Sequence, residues 1–173
     1  VFGAIFMPTS VINLVAGFVI RPYITKLSDQ WERNALPEFA GTVGRLAAII
    51  AALTALAVGG AWILGIPVLS MLYPKIAYML RECRLALAFI ILGGAFNAYV
   101  NLFYYALIIM QEQKRIFLGY VGVTAAALLI SSPCVRAAGL LGGSLSYLLL
   151  MAALTACFGL TSLVMYRRRV RGI

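Results

Sequence analysis

Four polar side chains in the middle of an uncharged apolar run are the residues best suited to chemistry in this chain. Asn97, Asn101 and Tyr104 recur at helical spacing, so with Ile108 they share one helix face, and Tyr105 stands beside them. Amides and phenols both donate and accept hydrogen bonds. Such a face would line a polar cavity and hold sugar hydroxyls or phosphate oxygens. It would equally bond to a neighbouring helix, which is the default role of a polar residue inside an apolar bundle. Asn13, within an earlier apolar run, is a weaker candidate for the same cavity. Three arginines complete the set: Arg81 and Arg84 just before the run carrying Asn97, and Arg45 at the start of another. Each could contact a phosphate, and each also fits a boundary residue whose charged head snorkels to water.

Other chemistries lack their residues. No acid or base stands near the middle of an apolar run, and intramembrane ionisable groups are the usual mark of proton relays and ion-coupling sites. There is no histidine and no pair of carboxylates within a run, so neither a hydrolase nor a self-contained proton pump is expected. Cys83, Cys134 and Cys157 form no CxxC pair. They read as small apolar fillers, with no metal or cofactor site implied. The chain reads as a non-enzyme.

In composition, 64% of the chain is hydrophobic and 11% charged, with a mean hydropathy of +1.01. A soluble domain carries about 25% charged residues, so lipid is the expected solvent. The net charge of +9 lies in short loops and a tail between apolar runs. That arrangement fits anionic headgroups rather than nucleic acid.

A membrane-spanning helix needs about 20 apolar residues, which predicts an all-α polytopic transmembrane bundle of about five spans. These cover residues 1–24, 46–73, 85–110, 116–133 and 137–166. The first span ends at Arg21-Pro22 and the fourth at Pro133, while Gly65-Ile66-Pro67 kinks the second and Gly59-Gly60 lets it bend. Residues 25–45 mix Trp31, Leu36 and Phe39 with five charges before Arg45, which predicts a short helix lying on the membrane surface with Trp31 at headgroup level. Gly93, Gly94, Ala98 and the Gly139-x-x-x-Gly143 pattern predict close helix packing. Arg21, Lys26, Arg33, Arg45, Lys114, Arg115 and the Arg167, Arg168, Arg169 and Arg171 tail fall on one side of the spans. Lys75, Arg81, Arg84 and Arg136 fall on the other. The positive-inside rule puts the first group, and the C-terminus, in the cytoplasm. The chain opens with Val1 inside an apolar run, without the charged start of a signal peptide. Upstream sequence is expected.

Several stretches, in order along nearly the whole chain, resemble polysaccharide flippases of the multidrug/oligosaccharidyl-lipid/polysaccharide exporter superfamily. Val19 to Leu27, with Arg21-Pro22, is similar to a span that closes on a proline before a cytoplasmic amphipathic loop. Gly65 to Tyr73 resembles the small apolar stretch ahead of an outer loop. Ala106 to Arg115 resembles a short basic cytoplasmic turn, and Ala137 to Ser144 the Gly/Ala turn that opens the last helix of the C-terminal half. Members have about a dozen or more helices in two lobes around a central cavity. The chain would supply most of the C-terminal lobe, and the N-terminal lobe would be a partner needed for alternating access. The resemblance implies a bacterial inner-membrane protein that moves an undecaprenyl-pyrophosphate-linked oligosaccharide to the periplasmic leaflet for surface polysaccharide synthesis. A multidrug or metabolite exporter of the same fold is the nearest alternative. A non-catalytic subunit packing on a partner is another, and an intramembrane glycan polymerase would need a larger outer loop than this chain has.

Overall fold

A computed structural model describes residues 2–60 and 84–171, and every described element is an α-helix. In chain order they are α1 (Phe2–Glu32), α2 (Leu36–Gly60), α3 (Arg84–Ile109) and α4 (Gln113–Arg171). The expected bend at Gly65-Ile66-Pro67, together with Lys75, Arg81 and Cys83, lies outside the described residues.

Four stretches, 36–56, 88–109, 113–136 and 141–171, are long and apolar enough to cross a membrane, and α1 carries the uncharged run 2–20 in its first part. The fold is an all-α bundle of membrane-spanning character.

As a straight rod, the 59 residues of α4 would measure about 88 Å, far beyond a hydrocarbon core of about 30 Å. They do not form one. At Gly139 the backbone leaves helical geometry, with φ 54° and ψ −126°. Tyr120 and Phe158 then meet edge to face, ring centroids 5.2 Å apart, and a Cβ on Gly119 would stand 2.6 Å from the Phe158 ring. Residues this far apart in sequence touch only if the second half of α4 runs back along the first. Pro133 does not end the fourth span as its ring would predict. The helix continues through it because a membrane helix tolerates one missing donor, and the reversal falls on a glycine that can take positive φ.

α3 is the axis. Its buried residues, among them Ile90, Ile91, Ala95, Ala98, Leu102 and Leu107, surround the helix rather than forming a stripe, as befits a helix enclosed by others. The other helices pack around it. α2 presents Leu36, Phe39, Leu46 and Ile50 at helical spacing, and Tyr99 Oη donates to the Ala47 carbonyl at 3.0 Å. From the second half of α4, Thr155 Oγ1 lies 3.0 Å from the Phe96 carbonyl on α3. The ring of Tyr147 fills the space over Gly93, so the small residues of α3 serve close packing, as expected.

Residues 25–45 depart from the sequence expectation. α1 runs unbroken through Pro22 to Glu32, and α2 begins at Leu36. The segment is therefore two helix ends and a tight turn, not a separate surface helix. Asn34 takes the left-handed conformation at φ 57°. Its N–H donates to Trp31 O at 3.2 Å while Ala35 N–H donates to Gln30 O at 2.9 Å, the paired bonds of a Schellman C-cap. Pro37 then sits in the first turn of α2, where its missing N–H costs nothing. α3 ends in the same way, with Gln111 at φ 62° and bonds from Gln111 N to Ile108 O and from Glu112 N to Leu107 O. Trp31 is buried against Phe39, ring centroids 5.2 Å apart. Of the cysteines described, Cys134 is half-buried and Cys157 exposed, both as free thiols. Cys157 is thus not the interior filler its type predicts.

Candidate functional site

The predicted polar stripe of α3 is split between two neighbours. Asn97 Nδ2 donates to Asn13 Oδ1 of α1 at 3.1 Å in a partly buried setting. Tyr104, two turns on, packs edge to face against Tyr105 at 5.6 Å and against Tyr120 of α4 at 6.4 Å. Asn101 lies between them, half-buried. Ile108 is exposed and lines a cleft with Ile24 of α1. This face of α3 therefore looks into the side between α1 and the first half of α4. Tyr99, two residues from Asn97 and so on the far side of the helix, bonds to α2.

Asn13 and Asn97 thus meet near the middle of α3, Tyr104 and Tyr105 lie about two turns further along it, and Asn101 falls between. Arg45 does not join it: it is exposed on α2, across α3 from the stripe. Arg84 opens α3, well before Asn97, and Arg81 lies outside the described residues. The Asn13–Asn97 bond places one amide pair in helix association. A cycle of Asn13→Leu, Asn97→Leu and the double change is expected to give a coupling of about 1 kcal/mol in unfolding free energy, in the range of interhelical bonds in membranes. Additive effects would mean that the bond holds nothing together.

A second polar site, at the basic end of the bundle, was not legible in the sequence. The last turns of α1 and α3, both ends of the turn before α2, and the two ends of α4 gather there. The Arg169 guanidinium stacks on the Trp31 ring, 4.3 Å from its centroid. Its Nη2 donates to Trp31 O at 3.2 Å and its Nε to Asn34 Oδ1 at 3.3 Å. One side chain near the end of α4 thereby clasps the C-cap of α1. Beside it opens a cleft of about 590 Å³, lined by Ser28 and Glu32 of α1, the last residues of α3, and Arg169. In sequence, Arg169 is only the third arginine of a basic tail, and nothing in its spacing singles it out.

Comparison with protein families, with curated proteins and with solved structures gives no match for this chain.

Proposed function

We propose that the chain forms most of the C-terminal lobe of a transporter that flips an undecaprenyl-pyrophosphate-linked oligosaccharide across a bacterial inner membrane. The observation that carries this reading is the amide and phenol stripe of α3, which meets α1 through Asn97 and α4 through Tyr104. Neutral groups that both donate and accept suit glycan hydroxyls, binding each weakly enough for release. The resemblance of the stretches around Arg21-Pro22, Gln111 to Arg115 and Gly139 to Gly143 supplies the cargo class. In this reading a second lobe, earlier in the same protein, closes the other wall of the cavity, and rocking of the lobes alternates access. The basic end faces the cytoplasm, as the positive-inside rule requires, and the C-terminus lies with it.

The test is Asn101→Leu combined with Tyr104→Phe in the complete protein. Both changes remove polar atoms from the stripe while sparing the Asn13–Asn97 bond and the tyrosine ring contacts. Glycan display on the cell surface is expected to fall about tenfold, the scale of one or two lost hydrogen bonds, with membrane levels unchanged. Unchanged display would exclude the stripe from the path. Loss of drug efflux with normal glycan display would favour an exporter of the same fold.

A further inference from the structure

We propose that the cleft at the basic end of the bundle is a binding site for a bilayer phospholipid with a primary-amine headgroup. The proposal does not depend on the transported cargo. Its basis is the pairing of charges on the cleft wall. Arg169 supplies a cation and Glu32 an anion, both lining the same space. Among the described residues the ion pairs are Arg33–Asp29 and Arg115–Glu112, so Glu32 and Arg169 do not neutralise each other. Glu32 accepts only a long bond, 3.5 Å, from the Ser28 hydroxyl. Arg169 spends two of its five N–H donors on Trp31 and Asn34.

A phosphodiester carrying an ammonium group meets both. Its phosphate accepts from the remaining guanidinium donors, in the charge-assisted geometry that favours arginine. Its ammonium donates to the Glu32 carboxylate. Below the charged rim, Ile24, Ile108 and Ile109 continue the cleft as an apolar wall along α1 and α3, which suits the first carbons of an acyl chain. The surrounding Lys26, Arg33, Lys114 and Arg115 belong to the same end of the bundle, which sets the cleft at headgroup depth. A choline headgroup has no N–H to give Glu32. An anionic glycerol headgroup would satisfy Arg169 with the same phosphate, and the neighbouring Arg167 and Arg168 would attract it to the surface, but its neutral hydroxyls bring no cation to the carboxylate. The occupant is therefore the aminophospholipid.

The experiment is a lipid titration of the purified full chain in detergent, read by native mass spectrometry and by thermal midpoint. The probes are short-chain phosphatidylethanolamine, phosphatidylcholine and phosphatidylglycerol. Phosphatidylethanolamine is expected to bind about tenfold more tightly than phosphatidylcholine, the value of one charge-assisted hydrogen bond. Glu32→Gln is expected to abolish that preference while leaving the lipid-free midpoint unchanged, since Glu32 is exposed. Arg169→Lys keeps the charge but not the planar fork, and is expected to weaken binding of all three lipids. Equal binding of the three, strongest binding of phosphatidylglycerol, or a preference that survives Glu32→Gln would each overturn the proposal.

Discussion

Gly93→Val is expected to leave little folded protein in the membrane. A Cβ at position 93 would lie 2.5 Å from both Cδ1 and Cε1 of Tyr147 and 3.5 Å from the Leu148 Cα. Carbon atoms rest about 3.5–4.0 Å apart, so the ring must retreat by roughly 1 Å even for alanine. The atoms met are the flank of an aromatic ring, with backbone behind it, rather than the end of a flexible chain. Valine adds two methyl groups held in one rotamer. The whole contact between α3 and the second half of α4 then has to open, and that contact also contains the Thr155–Phe96 approach. Overpacking a close interface costs about 1–3 kcal/mol, and occasionally more. Alanine is expected at the low end, and valine at or beyond the high end. The check is the thermal midpoint and the monodisperse yield in detergent for the glycine, alanine and valine forms. A valine form as stable as the native chain would mean that the helices do not approach this closely.

Helix type was legible in the sequence because uncharged apolar runs of spanning length have no other stable form in lipid. Helix ends were less so. Pro22 and Pro133 both look like stops, yet α1 continues ten residues beyond the first and α4 reaches Gly139 beyond the second. Proline removes one backbone bond, and the cost of ending a helix in an apolar setting is larger. The turn at Asn34 had a readable signal, an asparagine followed by proline three residues later, but the alternation of charged and aromatic residues around it pointed to a surface helix instead. What decides the matter is tertiary: Leu36 and Phe39 bury against the bundle, so the segment packs inward.

That Asn97, Asn101 and Tyr104 share one helix face follows from their spacing alone, whatever the neighbours are. Which neighbour each residue meets could not be read the same way. Asn97 and Asn13 are 84 residues apart, and two amides in separate runs look alike whether they bond to each other or face a cavity. Asn101 and Tyr104 are the residues proposed for the second role, which is why the transport test rests on them. Arg169 is the extreme case, its partners lying 135 and 138 residues away. A cluster of arginines at a helix end is explained by the cytoplasmic charge bias alone, so nothing local distinguishes the residue that grips Trp31 from those that do not.

Gly139→Ala is expected to destabilise the bundle by about 2–3 kcal/mol, the cost of holding an L-residue in a glycine-only backbone region. The dihedrals of Gly139, φ 54° and ψ −126°, mirror those of an ordinary extended turn residue, as at the first central position of a type II′ turn. Space is not the obstacle, because beyond the adjacent residues and the local helix backbone no heavy atom lies within 4 Å of an added Cβ. The penalty is therefore purely conformational, and this separates it from the crowding at Gly93. Nor can α4 escape by straightening: a continuous helix would carry residues 119 and 158 about 58 Å apart, stripping Phe158 from Gly119 and Tyr120 and overrunning the bilayer. The decisive comparison is D-alanine at position 139, introduced by semisynthesis beside the L-alanine form. D-alanine favours the mirror region, so it is expected to match or exceed glycine in thermal midpoint, because it also has fewer unfolded conformations to lose. Equal loss with both enantiomers would point to crowding instead, and no loss with L-alanine would mean that the chain reverses elsewhere. A stability that follows the handedness of this one residue would tie the antiparallel pairing of the two halves of α4 to a single backbone conformation.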